Sequence, residues 1–315
     1  MRTLTRTVPA LLLAVATGAA LSGCAAAAPQ TDGLSIVAST NVYGDIATSI
    51  AGDLATVTSI IDSPAQDPHS YEASARDQLA IANADLVIEN GGGYDPFIDL
   101  LVEGSGTVAA VISAVAVAGL DEGEAHAEEE AAEGDDHGHV EGINEHVWYD
   151  LHIMGDVAEA IAAELTALDD ASASVYAANL EAFLVELEAV EAEAHALAEQ
   201  LGGGTIAATE PVPASLLAEL GFDDETPAEF SEAIEEGADV PPLALQQVLD
   251  LIASGDVRLL AYNEQTASPE TERVRAAAEE AGIPVVSFVE TLPDGEDYLS
   301  WMRTNIEAVA AALAA

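Results

Sequence analysis

The stretch SASVYAANLEAFLVELEAVEAEAHALAEQLGGG, residues 172–204, decides the fold. Its apolar side chains recur at steps of three and four residues, which predicts one amphipathic helix over residues 172–200. With about 1.5 Å of rise per residue, this helix is roughly 40 Å long and acts as a stiff strut. The triple glycine at residues 202–204 ends it. The apolar stripe consists of Tyr176, Leu180, Phe183, Leu184, Leu187, Val190, Ala194 and Leu197.

Short β-rich runs alternate with helical runs on both sides of this helix, which is typical of α/β lobes built on mainly parallel sheets. The predicted strands cover residues 34–39, 56–61, 86–90, 107–113, 205–209, 257–262 and 284–289. The predicted helices beside them cover residues 43–50, 74–84, 243–253, 269–281 and 298–314. We therefore expect an α/β fold with an N-terminal lobe at 34–168, one long rigid linking helix at 169–202 and a C-terminal lobe at 203–315.

The N-terminus carries the features of a bacterial export signal. Two arginines precede an apolar run at residues 8–21, and the segment ends in Leu-Ser-Gly-Cys at residues 21–24. Cys24 is the only cysteine of the chain, so it has no internal disulfide partner. The sequence therefore predicts a signal peptide at 1–23, a lipidated Cys24 and a tether over 24–33. An ordinary cleavage site beside an incidental cysteine is the alternative.

The charge of the chain limits its partners. The sequence holds 57 acidic residues against 7 arginines and no lysine, for a net charge of −50. Such a chain repels nucleic-acid phosphate, which excludes nucleic acid as a partner, and it attracts cations. Solubility in a salty environment is the alternative explanation of the acidity. One acidic loop, residues 121–145, also contains three histidines, His126, His137 and His139.

Two histidines stand in motifs that suit metal binding. His69 lies in DPHSYE, residues 67–72, shortly after a predicted strand, and His146 lies in NEHVWYD, residues 144–150, at the end of the acidic loop. In α/β sheets, ligands bind beyond the ends of the strands. Asp150 is close enough in sequence to accept the second N–H of His146. A solvated loop histidine and a core histidine beside the following tryptophan are the respective alternatives.

Two glutamates stand directly after predicted strands of the C-terminal lobe. Glu210 follows the strand at 205–209 and precedes a proline, and Glu290 ends the strongly apolar run at 284–289. An unpaired carboxylate is costly beside a buried strand, and a bound cation would offset that cost.

Together these donors favour a transition metal. Two imidazoles and two carboxylates, a pair from each lobe, suit Zn²⁺ or Mn²⁺ better than Mg²⁺ or Ca²⁺. With one cysteine, a thiolate zinc site is excluded. The H-E-x-x-H, G-x-S-x-G and G-x-x-x-x-G-K-[ST] patterns are all absent from the sequence.

These motifs, in this order, resemble the zinc/manganese-binding receptors of bacterial ABC importers, the solute-binding proteins of family 9. The resemblance covers about residues 35–313 and includes P-H-x-Y-E at 68–72, ADLVIENG at 84–91, N-x-H-V-W-x-D at 144–150 and the segment 298–305. It implies that one Zn²⁺ or Mn²⁺ per chain is bound in the cleft between the lobes. The implied ligands are His69, His146, Glu210 and Glu290, with Glu72 and Asp150 supporting them.

The chain departs from the family pattern at several positions. Glu145 and Leu151 stand where the family usually has proline, and Glu290 stands where it usually has aspartate. Glu210 resembles the manganese-type subgroup, whereas a loop with histidines and acids resembles the zinc-type subgroup, in which such loops are thought to gather metal. A solvated acidic insertion is the other interpretation of the loop, and the identity of the metal stays open.

The resemblance implies a binding protein without enzymatic activity. We expect a monomeric lipoprotein on the outer face of the cell membrane that captures the ion and delivers it to the permease of an ABC importer. Two alternatives remain. One is an exported metallohydrolase with the same ligands, and the other is an adhesin-like surface lipoprotein with a structural metal.

Overall fold

A computed structural model describes residues 33–120 and 144–314. The predicted signal peptide, the lipidated Cys24, nearly all of the tether and the three loop histidines His126, His137 and His139 lie outside the described residues. Among the described helices, none combines the length and apolar character needed to span a bilayer.

Each lobe contains one sheet of four parallel strands, as the sequence predicts. The first sheet has the order β2-β1-β3-β4 and the second has the order β6-β5-β7-β8, so the two sheets share one topology. The strands of the first sheet are β1 Leu34–Thr40, β2 Ala55–Ile61, β3 Leu86–Glu89 and β4 Ala110–Ser113. Those of the second are β5 Gly204–Ala208, β6 Phe222–Asp224, β7 Val257–Asn263 and β8 Val285–Phe288.

Helices flank both sheets. In the first half of the chain these are α1 Asn41–Ala51, α2 Ala75–Ala82, α3 Phe97–Ser105, α4 Ala114–Val117 and α5 Leu151–Leu168. The long helix is α6 Ala173–Leu201. The second half contains α7 Ala214–Glu219, α8 Ala228–Glu235, α9 Pro242–Ala253, α10 Pro269–Ala281 and α11 Tyr298–Ala314. The last helix packs against α6, α1 and β8, so it connects elements of both halves.

Helix α6 forms where the apolar stripe predicts it. It has 29 residues, and its buried side chains are Tyr176, Phe183, Leu187, Val190 and Ala194. Gly202 ends it in a left-handed conformation with a φ of 73°. The stripe packs against α5, α1 and α11. Helix α5 packs tightly against α6 at Gly155, where an added Cβ would lie 3.3 Å from Leu187 Cδ2.

One hydrophobic core extends through both lobes. It includes Ile36 and Ile88 from the first sheet, Ile206 and Leu259 from the second, and Leu187 from α6. The lobes are therefore joined by packed side chains as well as by the linking helix. This arrangement confirms the expected two-lobe α/β fold with one long connecting helix.

Strand β6 and helix α8 of the C-terminal lobe, like the short helix α7, are not among the elements predicted from the sequence. Strand β6 has three residues, two of which are aspartates with low strand propensity, and it lies at the edge of its sheet. Helix α8 has eight residues and buries Phe230, Ala233 and Ile234. Both elements depend on packing against the lobe more than on local propensity.

Candidate metal centre

Three of the four candidate ligands follow strands of the two sheets. His69 lies in the segment after β2, Glu210 lies two residues after β5, and Glu290 lies two residues after β8. His146 directly precedes a 3₁₀ turn at Val147–Tyr149. Because the carboxyl ends of parallel strands share one edge of a sheet, each lobe presents its donors from a single edge.

A tight turn positions His69. Asp67 Oδ1 accepts a hydrogen bond from the His69 backbone N–H at 3.0 Å, and Asp67 Oδ2 accepts one from Ser70 Oγ at 2.7 Å. The ring of Tyr94 meets the imidazole edge-on, with 4.9 Å between the ring centroids. The His69 side chain is 13% exposed, so it lies at the inner wall of the cleft.

The glycine run after β3 brings Tyr94 to this place. Gly91 and Gly92 have φ values of 77° and 69°, a conformation that side chains disfavour. A Cβ on Gly91 would collide with the Ser113 hydroxyl, and one on Gly92 would lie 3.3 Å from Glu145 Cβ. The run is therefore a close-packed turn that supports the site.

Asn144 fixes the orientation of the His146 imidazole. The His146 side chain is 1% exposed, and Asn144 Oδ1 lies 2.7 Å from its Nδ1. The same oxygen accepts the His146 backbone N–H at 3.1 Å. With Nδ1 engaged, Nε2 is the nitrogen that faces the cleft. Trp148 covers the ring, with 5.1 Å between centroids.

Asp150, which is expected to support His146, caps the start of helix α5. Its Oδ1 accepts the backbone N–H of Ile153 at 3.1 Å and so caps α5, which leaves Asn144 as the partner of the imidazole. Aspartate is a favoured helix N-cap, and the capping interaction fixes its direction. Glu72, the other expected supporting carboxylate, has an exposed side chain.

Asn263 links the two predicted carboxylate ligands. Its Nδ2 donates to Glu210 Oε2 at 2.6 Å and to Glu290 Oε1 at 2.7 Å. Thr266 Oγ1 also donates to Glu210 Oε2, at 2.5 Å. Both glutamates are 3% exposed. Glu290 Oε2 accepts no hydrogen bond from the described residues, so one oxygen of this carboxylate is left to face the cleft.

The donor atoms of the two lobes come close together. Glu290 Oε2 lies 3.9 Å from His69 Nε2, and the ring centroids of His69 and His146 are 6.2 Å apart. Two donors that each lie about 2.0–2.2 Å from one ion can be at most about 4.4 Å apart. The distance between His69 and Glu290 fits that limit.

Glu235, a residue that is not among the predicted ligands, also reaches this place. Its Oε1 lies 3.5 Å from His146 Nε2. One donor atom each from His69, His146 and Glu235 all lie within 4.8 Å of one another. The sequence gives no signal for Glu235, because it stands in the acidic run EEGAD, residues 235–239, and that run resembles many others in this chain.

Burial raises the pKa values of three carboxyl groups at this place, those of Glu290, Glu210 and Glu235. It raises the pKa of Glu290 from an ordinary value of 4.5 to about 8, and the charge of Glu210 adds to the effect. Burial also raises the pKa of Glu210 to about 7, although hydrogen bonds from Thr266 and Asn263 act in the opposite direction. The pKa of Glu235 rises to about 9, through burial and then through the charge of Glu145. A dication at this point would stabilise the ionised forms.

A cleft of about 1000 Å³ opens beside these donors. Its described lining contains five acidic residues and no arginine. These acids are Asp67, Glu235, Glu236, Asp239 and Glu270. The negative lining favours the entry of a cation over that of an anion or a nucleic acid.

The sequence matches a known family over nearly its whole described length. Residues 36–312 match the model described as ZnuA, zinc-uptake complex component A, periplasmic. The manganese-binding lipoprotein MntA of Halalkalibacterium halodurans is 26% identical over 304 residues, 93% of this chain and 94% of that protein. The iron ABC transporter substrate-binding lipoprotein MtsA of Streptococcus pyogenes is 25% identical over 315 residues, 90% of each chain.

A solved structure has the same fold. The crystal structure of ZnuA superposes with a TM-score of 0.69 at 22% identity, over 89% of this chain and 99% of that chain. This likeness supports the two-lobe arrangement independently of the sequence pattern.

Proposed function

The chain belongs to the ZnuA family of zinc-uptake components, and from that membership we propose that it captures one Zn²⁺ or Mn²⁺ per molecule and delivers it to the permease of an ABC importer. Proteins of this family bind their cargo and do not transform it. The chain is therefore a binding protein, and its relatives favour this function over the metallohydrolase and the adhesin-like lipoprotein.

One observation carries the proposal. Glu290 Oε2 from the C-terminal lobe faces His69 Nε2 from the N-terminal lobe at 3.9 Å, with both side chains largely buried. A lone buried carboxylate oxygen opposite an imidazole nitrogen is the arrangement that a dication would bridge. We propose His69, His146, Glu210 and Glu290 as ligands of that ion.

The imidazole and carboxylate ligands contribute to binding in different ways. The imidazoles favour a borderline transition metal over Ca²⁺, whose ligands are oxygens. The carboxylates neutralise the charge of the ion and lose their protons on binding. Asn263 keeps Glu210 and Glu290 at a fixed separation through its two hydrogen bonds.

Binding would tighten contacts between the lobes because each lobe supplies donors. The possible movement of one lobe relative to the other is small, because hydrogen bonds already join the two lobes. Tyr149 Oη donates to the carbonyl of Val289 at 2.8 Å, and Tyr298 Oη donates to that of Trp148 at 2.8 Å. We therefore propose local closure over the ion within a largely fixed frame.

We further propose that the chain acts outside the cytoplasm as a monomer anchored through Cys24. The support is the lipobox-like segment at residues 21–24 together with two relatives that are lipoproteins by name. All proposed ligands come from one chain, so a single copy is sufficient to hold the ion.

Calorimetric titration of the chelated protein tests the proposal. We expect one tight site for Zn²⁺ or Mn²⁺ in the wild type and its loss in His69→Ala and His146→Ala, because each variant removes a donor nitrogen. His152→Ala is the matched control, since His152 is exposed on α5. Unchanged affinity in the first two variants, or a wild type that binds no metal, would refute the function.

A further inference from the structure

Glu235 is placed like a ligand although the family motifs do not include it. It ends α8, its side chain is 11% exposed, and its Oε1 lies 3.5 Å from His146 Nε2. That oxygen is buried and accepts no hydrogen bond from the described residues. A buried acceptor oxygen without a donor is costly unless something else binds it.

No arginine is among the described residues whose charges act on Glu235. Glu145, Glu210, Glu290 and Glu236 are the acids whose charges act on it. The described arginines that form ion pairs are Arg275 and Arg303, and both pair with exposed glutamates elsewhere on the surface. An ionised Glu235, beside one imidazole and four acids, is therefore stabilised by a bound metal cation.

Packing fixes the direction of Glu235. Helix α8 buries Phe230 and Ile234 in a small core of the C-terminal lobe, together with Val248 and Leu260. Gly237, with a φ of 63°, follows the end of the helix. The carboxylate is thus carried by a packed helix and directed across the cleft toward the N-terminal lobe.

We propose that Glu235 is a fifth direct ligand of the transported ion and that it biases the site toward Mn²⁺ relative to a site with four ligands. This inference rests on the proposed function. Zn²⁺ is satisfied by four ligands in a tetrahedron, whereas Mn²⁺ is better suited by additional carboxylate oxygens. Two imidazoles and three carboxylates would then surround the ion.

Glu235→Gln separates this role from the role of the predicted ligands. Loss of even a group that only supports a ligand typically lowers metal affinity about 10–100-fold. We therefore expect Glu235→Gln to lower the affinity for Mn²⁺ at least about tenfold and that for Zn²⁺ by clearly less. Calorimetry with Mn²⁺, and chelator competition with Zn²⁺, measure the two values.

Glu232→Gln is the matched control, because Glu232 lies on the same helix α8, is exposed and does not line the cleft. We expect it to keep both affinities. A second measurement uses Co²⁺ as a probe. Its visible absorption bands become more intense as the number of ligands falls, so the Glu235→Gln bands should be stronger than those of the wild type.

Two results would overturn the inference and leave the proposed function intact. One is wild-type Mn²⁺ affinity in Glu235→Gln while His146→Ala abolishes binding. The other is an equal loss for both metals with an unchanged Co²⁺ spectrum and a lower melting temperature, which would make Glu235 structural. A wild type that binds neither ion would refute the function itself.

Discussion

At the scale of single residues, the cleft contains more negative charge than its neighbours balance. Glu210 and Glu290 are nearly fully buried, and their hydrogen-bond donors are the neutral side chains of Asn263 and Thr266. Burial of ionised carboxylates without a cation is unfavourable, so the metal-free protein keeps protons there. The proposed ion and these protons therefore compete for the same oxygens.

This competition predicts how the metal-free protein responds to pH. The folded-state pKa values of Glu290, about 8, and Glu210, about 7, lie above the ordinary value of 4.5. Their contribution to stability is therefore complete below about pH 4.5 and is lost as the pH rises through 7 and 8. We expect the melting temperature of chelated wild type to fall between pH 5 and 8, and metal affinity to rise over the same range.

Glu290→Gln tests the cause, because an amide carries no titrating proton. We expect the variant to show a smaller fall in melting temperature, whereas Glu188→Gln, on the exposed face of α6, should behave as the wild type. Equal slopes in the wild type and Glu290→Gln would contradict the assignment.

Motifs identify the two histidines as candidate ligands, and chain position identifies the two glutamates. His69 and His146 stand in distinctive segments, and Glu210 and Glu290 directly follow apolar strands. Asn263 could not be found in this way, because a single amide at the end of β7 has no pattern of its own. Asn144 contacts the His146 ring, whereas Asp150 caps the start of α5. The spacing of these residues in the sequence does not determine which of them contacts the ring.

At the scale of elements, α6 is the part of the fold that the sequence specifies most fully. Its stripe runs from Tyr176 to Leu197, so periodicity alone determines which face is buried. Strand β6 is the opposite case, since three residues at a sheet edge contain too little pattern to predict. Helix α8 likewise follows from the packing of Phe230 and Ile234, which becomes visible only in three dimensions.

Truncation of the stripe should destabilise the protein. Leu187 is 3% exposed and contacts α5, so we expect Leu187→Ala to lower the free energy of unfolding by about 2–5 kcal/mol. Val185, on the same helix, is 58% exposed, and Val185→Ala should change it by no more than about 0.5 kcal/mol. Urea unfolding of both metal-free variants measures the difference, and similar values for the two would show that α6 is not packed as described.

At the scale of the whole molecule, the two lobes form one structural frame. A single core reaches from Ile36 through Leu187 to Leu259, and α11 returns from the second lobe to pack on α6 and α1. The frame keeps His69 Nε2 of the first lobe and Glu290 Oε2 of the second 3.9 Å apart, although the two residues are far apart in the sequence. This distance is what the proposed ion would require.

The alternation of strands and helices made this architecture predictable, because parallel strands with helical connections allow few other arrangements. The extent of contact between the lobes was not predictable. It depends on side chains such as Asn41, which exchanges two hydrogen bonds with the backbone of Leu292.

The central claim is that one dication is held between the lobes by donors from both. Anomalous scattering from crystals of the metal-loaded protein, recorded at the absorption edge of Mn or Zn, tests it most directly. The account predicts one strong peak per chain, within about 2.0–2.3 Å of His69 Nε2, His146 Nε2 and at least one oxygen each of Glu210 and Glu290. A peak that contacts donors of only one lobe, or no peak between the lobes, would contradict it.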